Sequence, residues 1–385
     1  MVQGAGLQEQ TGRRGHSDGT GAAVAPVRIE AFKLTTLAFP LTPPFRAAVR
    51  LIDTVDILLV ELHAGDGLLG CGYAFAFGAG DLAPVLASAQ SLCASLVGED
   101  ATKTERLWAR MNRLLALVGA SGPTLSALAA IDIALWDVAG HACGRSVSDM
   151  LGGARDSIPV YGSNGSLQLS VDELVAEALG FVRLGYPAYK FKVGSSLAQD
   201  VERVRAVREA VGASIQLMAD GTQQWSPKEA IRVAHALAPY DLRWLEEPVN
   251  AQDIEGCAEV RRASPMDIAT GETNFGVTES ARLLQLHATD ILMPNLQRVG
   301  GITGWRKVAA MAELHRISMA SHVYGEIGVH LMCGVPNALT LEVVPWWPKL
   351  FNESLAIRDG MASPPAAPGL GLTLNHALVE AHRVH

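Results

Sequence analysis

Downstream of Gly153 the chain alternates short apolar runs with longer amphipathic stretches. The apolar runs are IPVYGS (158–163), AYKFKV (188–193), IQLMAD (215–220), LRWLEE (242–247), DIATGE (267–272), DILMPN (290–295), ISMASH (317–322) and LTLEVV (339–344). They start about 20–30 residues apart, the length of one strand, one helix and two short loops. Eight such units in succession predict a (β/α)8-type TIM barrel in the α/β class. A doubly wound nucleotide-binding sheet is the competing reading, but GxxxxGK[ST] does not occur and the eightfold count decides for the barrel. Upstream, residues 28 to about 61 read as strands, among them DILLVEL (56–62). Helical patterns follow in LAPVLASAQSLCASL, TERLWARMNRLL and TLSALAAIDIALWDVAGHACG. The division expected is an α+β unit over 27–155, the barrel over 156–345, and a segment over 346–385 that returns to the first unit. Residues 1–26, rich in Gly, Gln and Thr, read as a disordered extension.

Composition narrows the class. A length of 385 residues suits two structural units, and a net charge of -8 argues against a nucleic-acid partner. No run of about 18 apolar residues stands out, so no membrane span is expected. The five cysteines are scattered and never form CxxC, which reads as reduced thiols in a cytoplasmic protein.

The predicted strands end in polar residues: Ser163, the pair Lys190 and Lys192, Asp220, the pair Glu246 and Glu247, Glu272, Asn295, His322, and Glu342 near the end of the eighth. Chemistry in such barrels gathers at those ends. Lys190 and Lys192 lie two apart on one strand, so both ammonium groups enter the same interior. Asp220, Glu246 and Glu272 come from three neighbouring strands and would repel one another in a low-dielectric site. A divalent cation removes that repulsion, and an all-oxygen set favours Mg²⁺ over zinc. A salt-bridge network with the two lysines is the structural alternative. Glu246 and Glu247 point to opposite faces, so one of them at most is a ligand, and spacing alone leaves open which.

This combination resembles the enolase superfamily, and within it the mandelate racemase subgroup, from about Val27 onward. The likeness rests on PPFRAAVRLIDTVDILLVEL (43–62), AAIDIALWDVAG (129–140), Lys190-Phe191-Lys192, WLEEP (244–248), TGET (270–273), VGGITGW (299–305), SHVYGEIGVH (321–330) and Glu342. The resemblance implies a modified (β/α)8-type TIM barrel under an α+β capping domain built from both ends of the chain. It implies Mg²⁺ on Asp220, Glu246 and Glu272. Lys192 becomes the base on one face of a small carboxylate substrate, with Lys190 lowering its pKa, and His322 the acid or base on the other. Glu342 becomes a hydrogen-bond donor to the substrate carboxylate, and Ser163 a polar contact. A homo-oligomer, from dimer to octamer, is expected on the same ground.

Two departures steer the chemistry. The residue that partners the histidine is Asp in the subgroup and Asn295 here. Where the family often has Asp-x-Asn, this chain has Asp220-Gly221-Thr222, which makes Thr222 a candidate substrate contact. If the Asn295 amide donates to Nδ1 of His322, Nε2 carries the proton and the histidine becomes a donor, not a base. The expected reaction is Mg²⁺-dependent abstraction of the α-proton to an enediolate, then dehydration of a 2,3-dihydroxy, sugar-type acid. The alternatives are racemisation of a 2-hydroxy acid with a hydrophobic substituent and, more remotely, a ligand-binding barrel without turnover. The capping loop offers Phe45, Arg46, Val49 and Ile52 to the substrate, with Phe75 and Phe77 as aromatic pocket positions and Arg50 as a second loop cation.

Overall fold

The computed structural model describes residues 25–47 and 50–384. The extension expected over 1–26 falls almost wholly outside them, as does Val49. Strands β1 (Ile29–Ala47), β2 (Arg50–Ala64) and β3 (Leu68–Ala76) form an antiparallel sheet in that order. Helices α1 (Ala79–Leu96), α2 (Thr104–Leu114), α3 (Pro123–Cys143) and α4 (Val147–Leu151) follow. One strand in this sheet, β3, has no counterpart in the sequence reading. α3 is long and apolar enough to cross a membrane, contrary to that reading, but 89% of its most apolar window is buried inside the protein. It is a core helix laid across β3.

The barrel strands are β4 (Ile158–Ser163), β5 (Ala188–Lys192), β6 (Gln216–Asp220), β7 (Leu242–Glu246), β8 (Asp267–Thr270), β9 (Ile291–Leu292), β10 (Ser318–Ala320) and β11 (Ala338–Val343). Each pairs in parallel with the next, and β11 pairs with β4 to close the cylinder. The expected fold class is borne out. Seven helices alternate with these strands: α5 (Val171–Arg183), α6 (Leu197–Val211), α7 (Pro227–Leu237), α8 (Ile254–Ala263), α9 (Gly276–Gln285), α10 (Gly301–Leu314) and α11 (Gly325–Gly334). Their starts are written locally: Ser170 and Ser226 form capping boxes with Glu173 and Glu229, and Asp253 caps α8.

No helix directly follows β11. The chain instead makes a hairpin of β12 (Ala356–Arg358) and β13 (Met361–Ser363), and β13 adds antiparallel to β4. A last helix, α12 (His376–Ala381), leads to the first sheet, where Ala38 N–H donates to the His382 carbonyl at 2.9 Å and Val384 N–H to the Thr36 carbonyl at 2.9 Å. The barrel interior is filled by Tyr161, Ala188, Met218, Trp244, Ala269, Ile291, Met293 and Ala320. That apolar plug is the floor on which the polar residues stand.

Candidate active site

Register places the site. Lys192 pairs with Asp220, and Asp220 with Glu246, so one base and two acids form a row across β5, β6 and β7. Inward-facing positions alternate along each strand: Ala188 lies below Lys190 and Lys192, Met218 below Asp220, Trp244 below Glu246. This parity resolves the Glu246–Glu247 ambiguity, because Glu246 faces the interior. Glu247 lies just past the strand at φ +39°, and its Oε1 accepts from Thr270 Oγ1 (2.6 Å) and Gly271 N (2.9 Å). The other three polar residues stand in loops: β8, β9 and β10 end at Thr270, Leu292 and Ala320, before Glu272, Asn295 and His322. The predicted strand ends there overrun the observed ones.

Charges in the row neutralise each other. Lys190 Nζ bonds Glu246 Oε1 and reaches Glu342 Oε1 at 2.9 Å, while Lys192 Nζ bonds Asp220 Oδ2. Glu246 Oε2 also accepts from Trp244 Nε1 at 3.0 Å. Burial opposes the Lys192 ammonium, yet the carboxylates of Asp220 and Glu272 outweigh it and hold its pKa above the usual value. Lys190 acts in the lowering direction, as the sequence suggests, but it does not prevail against several acids. Glu342 stands where expected, though not as a donor: Oε1 faces the Lys190 ammonium and Oε2 accepts from Val323 N–H at 2.6 Å. Burial pushes its pKa up, but Lys190 and His322 lead the influences that hold it below the carboxylate norm.

His322 is the best-determined group. Asn295 Oδ1 accepts two backbone donors, Gln297 N at 3.0 Å and Arg298 N at 3.2 Å. Its Nδ2 therefore faces His322 Nδ1, at 2.8 Å. A carboxamide nitrogen only donates, so Nδ1 is the acceptor and the proton sits on Nε2. Nε2 in turn lies 3.0 Å from Glu272 Oε2. Burial lowers the histidine pKa against the pull of Glu272 and Glu342, which keeps the ring neutral near pH 7.

Asp220, Glu246 and Glu272 are the candidate cation ligands. Among the described residues no three acidic, histidine or cysteine side chains close into a ready cage, because Lys190, Lys192 and His322 each occupy one of these carboxylates. The donor set nevertheless suits a hard divalent ion: three carboxylates from adjacent barrel elements, each neutralised only by a base that can turn aside.

A cavity of about 120 Å³ opens above the row and is lined by Ser163, Lys190, Lys192, Asp220, Glu272, His322 and Glu342 from the barrel, with Phe45, Ile52 and Phe75 from the first sheet and Phe77 just past it. Two expected contacts are not brought to it. The Arg46 side chain does not line it, and its backbone N–H donates to Ser166 Oγ at 3.4 Å. Thr222 spends its backbone N–H on Asp220 Oδ1 at 2.8 Å, and its hydroxyl is buried without a partner. Arg50 is held by Asp81 Oδ2 at 2.6 Å and by the Phe77 carbonyl. Asn164, Arg298 and Trp346 do line the cavity and were missed. Arg298 and Trp346 sit in connecting segments with no strand pattern to flag them; the adjacent Trp346-Trp347 pair was the available signal for the second.

Family comparison agrees with this architecture. Residues 29–152 match the mandelate racemase / muconate lactonizing enzyme N-terminal domain, and residues 173–378 match the enolase C-terminal domain-like family. The chain belongs to the mandelate racemase branch of the enolase superfamily. Within that superfamily it is 34% identical to L-talarate/galactarate dehydratase of Salmonella typhimurium over 362 residues, 92% of this chain and 91% of that one. The structure of L-talarate dehydratase from Polaromonas sp. JS666 complexed with Mg and L-glucarate superposes with a TM-score of 0.86 at 35% identity, covering 93% of this chain and 98% of the other. A Bradyrhizobium enolase complexed with magnesium and mandelic acid superposes at 0.88 with 32% identity, covering 94% and 100%.

Proposed function

We propose that this enolase-superfamily enzyme is a Mg²⁺-dependent hydro-lyase that dehydrates 2,3-dihydroxy acids. The observation that carries the reading is the orientation of Asn295, which holds His322 as an Nε2–H donor. Lys192, on the opposite barrel strands, takes the α-proton. The electrons of that C–H bond form the enediolate and then expel the C3 hydroxyl as hydroxide. The hydroxide accepts the His322 Nε2–H hydrogen bond as it departs and takes up a proton from solvent, while Lys192 returns the α-proton to solvent. The resulting enol tautomerises to a 2-keto-3-deoxy acid, so the net change is loss of one water. Asp220, Glu246 and Glu272 would hold Mg²⁺, which supplies positive charge where the enediolate develops. Burial and Lys190 are the two influences that favour the neutral amine Lys192 needs, and the carboxylates oppose them only while their charge is unengaged. The magnesium complexes of the relatives support the same assignment.

Racemisation would need His322 to accept a proton at Nε2, the atom that already carries one. The test is α-deuteration and water loss in D₂O on a library of 2,3-dihydroxy and 2-hydroxy acids. Lys192→Ala should abolish both in the Mg²⁺-loaded enzyme. His322→Gln should slow water loss by about 10²-fold or more while α-exchange persists. Equal α-exchange of both enantiomers of one 2-hydroxy acid, with no water lost, would overturn the reading.

A further inference from the structure

The cavity has two unlike halves. Barrel residues supply its charges, and most of these are committed: Lys190, Lys192 and His322 to carboxylates, Asn164 Nδ2 to Glu177 Oε2 at 2.6 Å, and Arg298 Nη1 to the Glu272 carbonyl at 2.6 Å. The opposite wall is hydrocarbon. Phe45, Ile52 and Phe75 come from the first sheet, Phe77 from the position just past β3, and Trp346 from the segment after β11. The aromatic members pack as two pairs, with Phe45 and Trp346 rings at 5.4 Å and Phe75 and Phe77 rings at 5.4 Å. The polar groups this wall could have offered are elsewhere: Arg50 is tied down by Asp81, and the Arg46 side chain does not line the cavity. Trp346 also carries an indole nitrogen that is buried with no partner among the described residues.

We infer that the substrate is a 2,3-dihydroxy acid whose C3 carries a short alkyl or aryl group in place of a hydroxylated sugar chain. The inference rests on the dehydratase reading for the C1–C3 end and concerns the far end only. A polyhydroxy tail would bring a hydroxyl at every carbon against that wall. Beyond the single acceptor that Trp346 could serve, each hydroxyl would lose its water without gaining a partner. Each such loss is a discrimination of at least about tenfold. A phenyl or branched alkyl group instead buries its surface against four aromatic rings.

The experiment compares kcat/KM for two sets of acids matched in C2 and C3 configuration. One set is 2,3-dihydroxy-3-phenylpropanoate and 2,3-dihydroxy-4-methylpentanoate; the other is the corresponding pentonates and hexarates. The first set should be favoured by at least about tenfold, and Phe77→Ser should shrink that ratio of kcat/KM between the two sets by about tenfold. Trp346→Gln serves if that variant does not fold. Equal or better turnover of the sugar acids overturns the inference. If no acid in either set loses water, the dehydratase reading fails on its own, and the tail is then judged by calorimetric binding to the Mg²⁺-loaded protein. Tighter binding of 3-phenyllactate than of a matched aldonate sustains the inference; equal or weaker binding ends it.

Discussion

Asn295 has two chemically different ends, and the backbone of its own loop decides which one meets His322. The Gln297 N–H donates to Oδ1 at 3.0 Å, and the Arg298 N–H is shared between Oδ1 at 3.2 Å and the Asn295 carbonyl at 3.1 Å, so Oδ1 is held by the backbone. Replacing Asn295 with Asp keeps that acceptor and exchanges the donor at Nδ2 for a second acceptor. His322 would then put its proton on Nδ1 and present a basic Nε2. In Asn295→Asp, water loss at pH 8 should fall at least about tenfold, and deuterium should enter the α-carbon from the histidine face. Product analysis by NMR in D₂O checks this; an unchanged ratio of water loss to exchange would show that Asn295 does not set the role of His322. The identity of these residues was legible from spacing because functional positions sit at fixed points of a repeating unit. Their direction was not. Arg46 and Thr222 lie in suitable segments, yet one does not line the cavity and the other turns backbone to the site at φ +46°, a conformation nothing in its side chain announces.

At the level of elements, the barrel strands were readable and the third strand of the capping sheet was not, for one packing reason. The stretch LLGCGYAFA carries two glycines and no alternation, which reads as a break. Those glycines admit α3: a Cβ on Gly70 would stand 2.3 Å from the Ala134 carbonyl oxygen, and one on Gly72 2.1 Å from that of Ala130. Both obstacles are backbone, so Gly72→Ala should destabilise the protein by about 2–3 kcal/mol, read as a lower urea midpoint. The partners of α3 on two sides, α10 of the barrel and β3 with the C-terminal segment, explain the acids of AAIDIALWDVAG. Asp132 accepts from Thr303 N–H at 2.8 Å and Thr303 Oγ1 at 2.7 Å, in the first turn of α10, while Asp137 accepts from Cys71 N–H at 2.9 Å and Leu370 N–H at 2.7 Å. Asp132→Ala would leave a buried amide and hydroxyl unsatisfied and should cost about 2–4 kcal/mol, also as a shift in urea midpoint. An unchanged midpoint would mean that water replaces the carboxylate and that the α3–α10 contact does not hold the two units together. Strain collects at the site end of the barrel, with Thr222, Gln223, Glu247, Val323 and Tyr324 all at φ between +39° and +63°. Such positions are invisible to a hydrophobic pattern because the surrounding packing, not the residue, sets them.

The whole molecule is closed by its own C-terminal segment, and His330 is where that closure depends on pH. Its ring, fully buried on α11, accepts from Ser148 N–H at Nδ1 (3.3 Å) and meets the Leu370 carbonyl at Nε2 (2.9 Å), so Nε2 carries the proton. Three parts meet there: the first turn of α4, a barrel helix, and the returning segment. Both nitrogens are already used in the neutral form, and a second proton on Nδ1 would face a backbone donor. Burial pushes the histidine down to about 4, and the carboxylates of Asp137 and Asp149 resist without prevailing. The unfolded histidine titrates near 6.5, so between about pH 6.5 and 4 the unfolded chain binds the extra proton and the folded one does not. Stability therefore rises with pH across that window and is lost as pH falls through it, by up to about 3 kcal/mol. In His330→Gln the side chain keeps one donor and one acceptor but cannot titrate. Denaturation midpoints measured from pH 7 to pH 4 should fall more steeply for the parent than for this variant. Parallel profiles would assign the acid sensitivity to the carboxylate–lysine row of the active site instead, where Asp220 is held below its usual value against burial by Lys192 and Lys190 and loses its pairing when protonated.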